Sequence, residues 1–301
     1  MKLFRARNYF IILGVALVAF ILGLFFDKNI SATLYANSNL HEFGAIVSSL
    51  CLAPFLFFST VIACLGIASA FTTKPNIVRI PFIIVVVAAL GYLTFSQWKI
   101  FYDDRALIGN VTANVIGIIV AVLGLLGGIV LAKYLYKNVS KEMAFRVTIL
   151  YVIIVLVAMA IGVALKYLWS RTRPLFVFIP GQESLYNPFW ELHPFRAFKV
   201  AKELRDFYKS FPSNHTISCS LVVVSLLTML KIVPSLDTNR NRALSLCLAI
   251  LITLVVAICR ILAGAHFLTD VSFGAIVAYS AAFFGFLAAN SLDQKKKLFQ
   301  C

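Results

Sequence analysis

Residues 147–174 read VTILYVIIVLVAMAIGVALKYLWSRTRP, and the change of character inside that stretch decides the fold. Val147 to Leu165 carries no charge. A helix needs roughly 20 apolar residues to cross the ~30 Å hydrocarbon core of a bilayer, so this run is long enough to span. Lys166, Arg171 and Arg173 then arrive together, and Pro174 closes the stretch. Strong bases at the end of so apolar a run need a physical reason to be there.

Working outward, similar runs lie near 9–26, 44–70, 80–98, 111–132, 213–230, 243–263 and 271–291, which with 147–168 makes eight. The apolar fraction of 61% exceeds the roughly 45–50% of soluble domains. The expected fold is all-α: a polytopic membrane bundle of about eight transmembrane helices. The start, Met1 to Arg7 followed by an apolar run, has the look of a signal peptide. However, the run from Tyr9 to Phe26 exceeds the ~7–15 residues of a signal core and no A-x-A site follows, so a retained first span is expected.

A formal charge of +15 would point a soluble protein towards nucleic acid. Here the bases fall in alternate loops instead: Lys2, Arg5 and Arg7; Lys74 and Arg79; Lys133, Lys137, Lys141 and Arg146; Lys231, Arg240 and Arg242; Lys295, Lys296 and Lys297. The first two intervening loops hold only Lys28, Lys99 and Arg105, diluted by Asp27, Glu42, Asp103 and Asp104. The positive-inside rule then puts both termini in the cytoplasm and the segments around Arg173, His215 and His266 on the opposite face. No nucleic-acid partner is expected. The six cysteines form no C-x-x-C pair and read as small buried hydrophobes, with neither a disulfide framework nor a metal site.

The connection from Trp169 to Pro212 is the one long non-spanning piece. Its first half is irregular and aromatic. In its second half, a helical wheel over 196–209 separates Ala197, Phe198, Val200, Ala201, Leu204, Phe207 and Tyr208 from Arg196, Lys199, Lys202, Glu203, Asp206 and Lys209. That is the pattern of an amphipathic helix lying in the membrane interface. Gly124, Gly127 and Gly128 form a small-residue face for close helix packing within the fold, or in a homodimer. Residues 1–140 are expected to hold N-terminal spans, 141–291 the core that carries the polar segments, and 292–301 a basic tail.

Three segments carry candidate chemistry. Lys166 and Arg173 stand seven apart, two helical turns, and suit an anionic phosphate as point charge and fork. Pro174 disfavours helical geometry at Arg173, so the helix should end about there. The bland alternative is a basic flank anchoring the span. Pro212-Ser213-Asn214-His215 opens a span with a capping serine and the free N–H groups that bind anions, or is a cap beside a satisfied histidine. His266 and Asp270 stand at i and i+4, so the carboxylate can orient the imidazole and raise its basicity. Gly264 marks a turn that could bring Arg260 and His266 together; the alternative is a capped helix start beside a chance histidine.

Together the pattern K-x6-R-P, P-S-x-H and R-x5-H-x3-D resembles the type 2 phosphatidic acid phosphatase superfamily of membrane lipid phosphatases and vanadium haloperoxidases. The resemblance implies a six-helix phosphatase core, with His266 as nucleophile forming a phosphohistidine and Asp270 orienting it. It also implies His215 as the acid that protonates the leaving oxygen and then activates water. Lys166, Arg173, Arg260, Ser213 and the Asn214 backbone would hold the phosphoryl oxygens. It implies no metal and no other cofactor. Two positions depart from the family's usual pattern: Asn214 stands where glycine is usual, and Cys259 where serine is usual. The implied substrate is a phospholipid, isoprenoid or lipid A-type phosphate or diphosphate, acted on at the periplasmic or outer face of a bacterial inner membrane. A lipid phosphotransferase of the same fold and a non-enzymatic anionic-lipid transporter are the rival readings.

Overall fold

The computed structural model describes residues 6–36, 40–103 and 109–298. Lys2, Arg5, Asp104, Arg105 and Cys301 lie outside them. Among the described residues the chain is helical and without strands, and eight helices or helix pairs are long and apolar enough to cross a membrane. Four long elements come first: α1 (Ala6–Ala36), the pair α2 (His41–Leu50) and α3 (Ala53–Thr73), α4 (Asn76–Asp103) and α5 (Asn110–Leu135). Then come α6 (Lys141–Trp169), the short α7 (Pro174–Val177) and α8 (Arg196–Lys199), the pair α9 (Asn214–Ser220) and α10 (Val222–Ile232), α11 (Asn239–Leu262) and α12 (Leu268–Leu298).

The α9–α10 pair is the most enclosed span and forms the axis of the bundle. Its Ile217, Leu221, Val222, Val223 and Val224 are fully buried against α3, α6, α11 and α12. α1 lies along α12 and closes one flank; α3, α5 and α4 close the other. The small-residue face of α5 is used inside the chain: Gly124 packs on Leu56, Gly127 on Phe57 and Gly128 on Thr60 of α3. Close approach of two helices is what small residues permit.

Three expectations are corrected. The second span is not one helix: it breaks at Cys51–Leu52, with Pro54 opening α3. Proline has no N–H to continue the ladder of the preceding helix and suits a helix start. The break lets α2 lean on α11 while α3 crosses to α5 and α6. The segment 196–209 is not a continuous amphipathic helix. α8 stops at Val200, which is extended (φ −104°, ψ 163°), and a 3₁₀ stretch follows over Lys202–Tyr208. The wheel's apolar half is split as well, with Ala197 and Tyr208 buried and Phe198 and Leu204 exposed. Finally, Asp27 is not a loop charge but a buried residue within α1, 2% exposed.

The two ends of the bundle differ in chemistry. Lys74 pairs with Glu142 at 3.0 Å, and Ser140 N–H bonds the Ile232 carbonyl at 3.0 Å, so the basic turns gather at one end. The end of α6, the start of α9, the end of α11 and the start of α12 meet at the other.

Candidate active site

The end of α6 comes earlier than Pro174 alone predicts. Ser170 adopts the left-handed conformation (φ 41°, ψ 43°), a C-terminal cap geometry, and the helix ends at Trp169. Arg173 is extended (φ −75°, ψ 147°), as a residue before proline must be, and Pro174 starts α7. Lys166 and Arg173 therefore do not share a helical face. They are brought to one place by the loop 207–213, which bonds along this segment: Arg173 N–H to the Phe207 carbonyl at 2.7 Å and Ser210 N–H to the Arg171 carbonyl at 3.0 Å. The Lys166 ammonium donates to the Lys209 carbonyl at 2.7 Å, which uses one of its three donors.

Ser213 caps α9 by accepting from the Thr216 N–H at 3.3 Å and its hydroxyl at 3.0 Å. Its own N–H donates to the Asp270 carbonyl at 3.0 Å. The start of α9 is thus fastened to the start of α12, which holds buried His215 at the same end of the bundle as His266. Asn214 turns its amide oxygen towards Gly162 of α6, where any larger residue would collide with it. That oxygen makes no hydrogen bond.

Arg260 sits in the last turn of α11, fully buried, with one guanidinium nitrogen 3.3 Å from the Ser48 hydroxyl of α2. The turn to α12 runs through Gly264 at φ 64°. The Arg260 carbonyl accepts both Ala265 N–H (3.1 Å) and His266 N–H (3.3 Å), which folds the turn back on itself and sets the histidine beside the helix end.

His266 Nδ1 lies 3.7 Å from Asp270 Oδ2 and makes no hydrogen bond. The i,i+4 spacing delivers proximity but not the expected bond, because Oδ2 already accepts Phe267 N–H at 2.8 Å and the Ser210 hydroxyl. The other carboxylate oxygen takes Arg171 Nη1 at 2.8 Å. Burial holds the His266 imidazole well below its ordinary pKa. Asp270 pulls the other way, and the positive charges of Lys166, Arg260 and Arg173 push further down. The ring is neutral at pH 7, with a lone pair available in the midst of three cations. That arrangement is suited to receive a phosphoryl group: the cations match its oxygens and the neutral imidazole offers a nucleophile.

Arg171 is the residue whose role the sequence concealed. It reads there as one more base in a cluster, yet its side chain is fully buried and its guanidinium is taken up by two carboxylates, a hydroxyl and a carbonyl. Nε donates to the Asn187 carbonyl (2.9 Å), Nη1 to Thr269 Oγ1 (2.6 Å) and Asp270, and Nη2 to Asp27 Oδ2 (3.0 Å), while the group stacks 4.2 Å above the Phe267 ring. Ser210 and Asp27 gave no signal beyond their polarity.

Comparison with curated proteins and with solved structures found no match. The sequence model of the PAP2 superfamily matches residues 147–292, a range that contains Lys166, Arg173, Ser213, His215, Arg260, His266 and Asp270. The part of the chain that builds this end of the bundle, residues 147–292, is a PAP2 superfamily domain.

Proposed function

We propose that this integral membrane phosphatase-type protein hydrolyses a lipid phosphate or diphosphate through a phosphohistidine on His266. One observation carries the reading: a neutral, buried imidazole stands among Lys166, Arg173 and Arg260, with the Asp270 carboxylate behind it. The substrate's phosphoryl group sits against the three cations and the N–H groups at the start of α9. His266 attacks phosphorus as the bond to the leaving oxygen breaks. His215 protonates that oxygen, then takes a proton from the water that cleaves the phosphohistidine and releases phosphate. Asp270 carries the developing positive charge of His266.

A lipid rather than a soluble substrate is supported by the loop over this end. Trp190, Leu192, Phe195, Phe198 and Leu204 are exposed beside Arg196, Lys199 and Lys202. Apolar side chains among bases are what a site open to an anionic membrane interface presents. The loop charges favour the outer face for this end, with the termini cytoplasmic.

The test is phosphate release from phosphatidic acid, phosphatidylglycerol phosphate and undecaprenyl diphosphate by purified protein in EDTA. Activity in EDTA is expected, and His266→Ala should lower it at least about 10³-fold, the scale seen when a nucleophile is removed. A requirement for added metal, or a His266→Ala protein as active as the parent, would sink the mechanism. Phosphate appearing on a second lipid instead of in solution would show transfer rather than hydrolysis.

A further inference from the structure

α12 begins at Leu268, so the capping position before it is Phe267, which has no side-chain acceptor. A helix start leaves unsatisfied N–H groups, and a buried one must find partners for them. Here the partner comes from the far end of the chain. Asp27 of α1 accepts the Thr269 N–H on Oδ1 (3.0 Å) and the Thr269 hydroxyl on Oδ2, while Asp270 turns back to the Phe267 N–H (2.8 Å). The same Asp27 shares the buried Arg171 guanidinium with Asp270, at 3.0 Å and 2.8 Å. Two carboxylates and one guanidinium thus form a buried line from α1 to the residue behind His266. α1 lies wholly outside the matched domain.

We propose that Asp27 is a positioning residue of the site: by capping α12 at Thr269 and sharing Arg171 with Asp270, it fixes where the Asp270 carboxylate stands behind His266. Without Asp27, Asp270 would be the one carboxylate left to Arg171 and would be drawn towards it, away from the imidazole it faces at 3.7 Å. A buried cation with one of its two carboxylates removed is strongly unbalanced. Gly23, one turn earlier on α1, is what admits the contact, because a Cβ there would lie 2.8 Å from Thr269 Cγ2 and 2.9 Å from its N. The charged groups that face His266 are Asp270 of α12, Lys166 of α6, Arg173 of the segment after it and Arg260 of α11. Asp27 acts through the first of these.

The proposal rests on reading His266 as the attacking group, so its test has one arm that needs no turnover. Full-length protein with ¹⁵N-labelled histidine is compared in nanodiscs as wild type and Asp27→Asn, which keeps an acceptor for Thr269 but removes the charge. His266→Gln identifies the His266 signal. At pH 7 the Nδ1–H tautomer of His266 should fall about threefold or more against the Nε2–H form in Asp27→Asn, since the nearby carboxylate charge favours the proton on the nitrogen that faces it. With phosphatidic acid vesicles, kcat should fall about tenfold, with KM within about twofold and the acid limb of kcat/KM displaced to lower pH. A merely structural contact would lower thermal stability and leave tautomer, pH limb and kcat per folded molecule unchanged; that result overturns the proposal. If Asp27→Asn does not accumulate, Thr269→Val, which loses the hydroxyl bridging Asp27 and Arg171, should show the same displacements at smaller size, and their absence is equally fatal. If wild type releases no phosphate from any lipid while the tautomer still shifts, the phosphatase reading fails and the positioning role stands.

Discussion

The hydroxyl of Ser210 donates to Oδ2 of Asp270, the carboxylate oxygen that faces His266 Nδ1 at 3.7 Å. The loop and the imidazole therefore compete for one oxygen. Removing the hydroxyl frees that oxygen for the ring. Ser210→Ala should raise the basicity of His266 and move the acid limb of kcat/KM upward, opposite in sign to Asp27→Asn. The lost bond should cost about 1 kcal/mol of stability. A pH–rate profile beside a thermal melt checks both signs.

The pH dependence of folding follows from the same histidine. Burial and the cations Lys166, Arg260 and Arg173 hold His266 below its ordinary pKa against the pull of Asp270. An unfolded histidine takes up a proton near ~6.5, while the folded site refuses it until well below. The unfolded chain binds more protons in that window, so stability is full above about pH 6.5 and declines as pH falls towards the folded pKa. Thermal melts in detergent from pH 8 to 5 should show the decline, and His266→Gln should flatten it.

Gly264 carries φ 64°, and a Cβ there would lie 2.5 Å from the Tyr35 ring and 3.1 Å from Leu175. Gly264→Ala meets both a backbone penalty and a collision, together about 2–4 kcal/mol. Because this turn sets His266 beside Arg260, activity should fall before the fold is lost. Melting temperature and phosphate release measured on one preparation separate the two.

Asn214 occupies a place where the family pattern has glycine, and Gly162 leaves the notch that receives its side chain. Its amide oxygen is buried without a hydrogen bond, a cost of about 1–3 kcal/mol. Asn214→Ala should therefore be neutral or stabilising in a melt, whereas Gly162→Ala should destabilise. A large loss of stability in Asn214→Ala would mean the side chain holds the start of α9.

The spans were legible because apolar run length is local and a bilayer demands about 20 residues of it. The turn at Gly264 and the cap at Ser213 were legible for the same reason, being set by residues beside them. What stayed hidden was non-local. Asp27 and Thr269 are 242 positions apart, and no periodicity links them. Asp27 looked like a loop charge because a carboxylate in a span is costly unless its partner is known, and that partner, Arg171, looked like one of three equivalent bases. Lys166 and Arg173 were rightly grouped but for the wrong geometric reason, since the loop 207–213 rather than two helical turns joins them. The segment 196–209 shows the converse: a clean wheel does not guarantee a helix when Val200 is extended.

The Asp27–Arg171 pair also bears on how the chain is assembled. During synthesis α1 reaches the bilayer before α6 and α12, carrying a carboxylate of a kind that costs up to about 3 kcal/mol at the centre of a span. Its counter-ion is not made until 144 residues later, and Thr269 later still. Until then α1 is a poorly anchored guest, free to tilt its acidic side towards water or the insertion machinery. A chain arrested before Arg171 should leave Asp27 open to a hydrophobic carbodiimide, and the complete chain should shield it. A helix made well before its partners is thus among the last to be seated, and its docking against α12 reports that the bundle has closed.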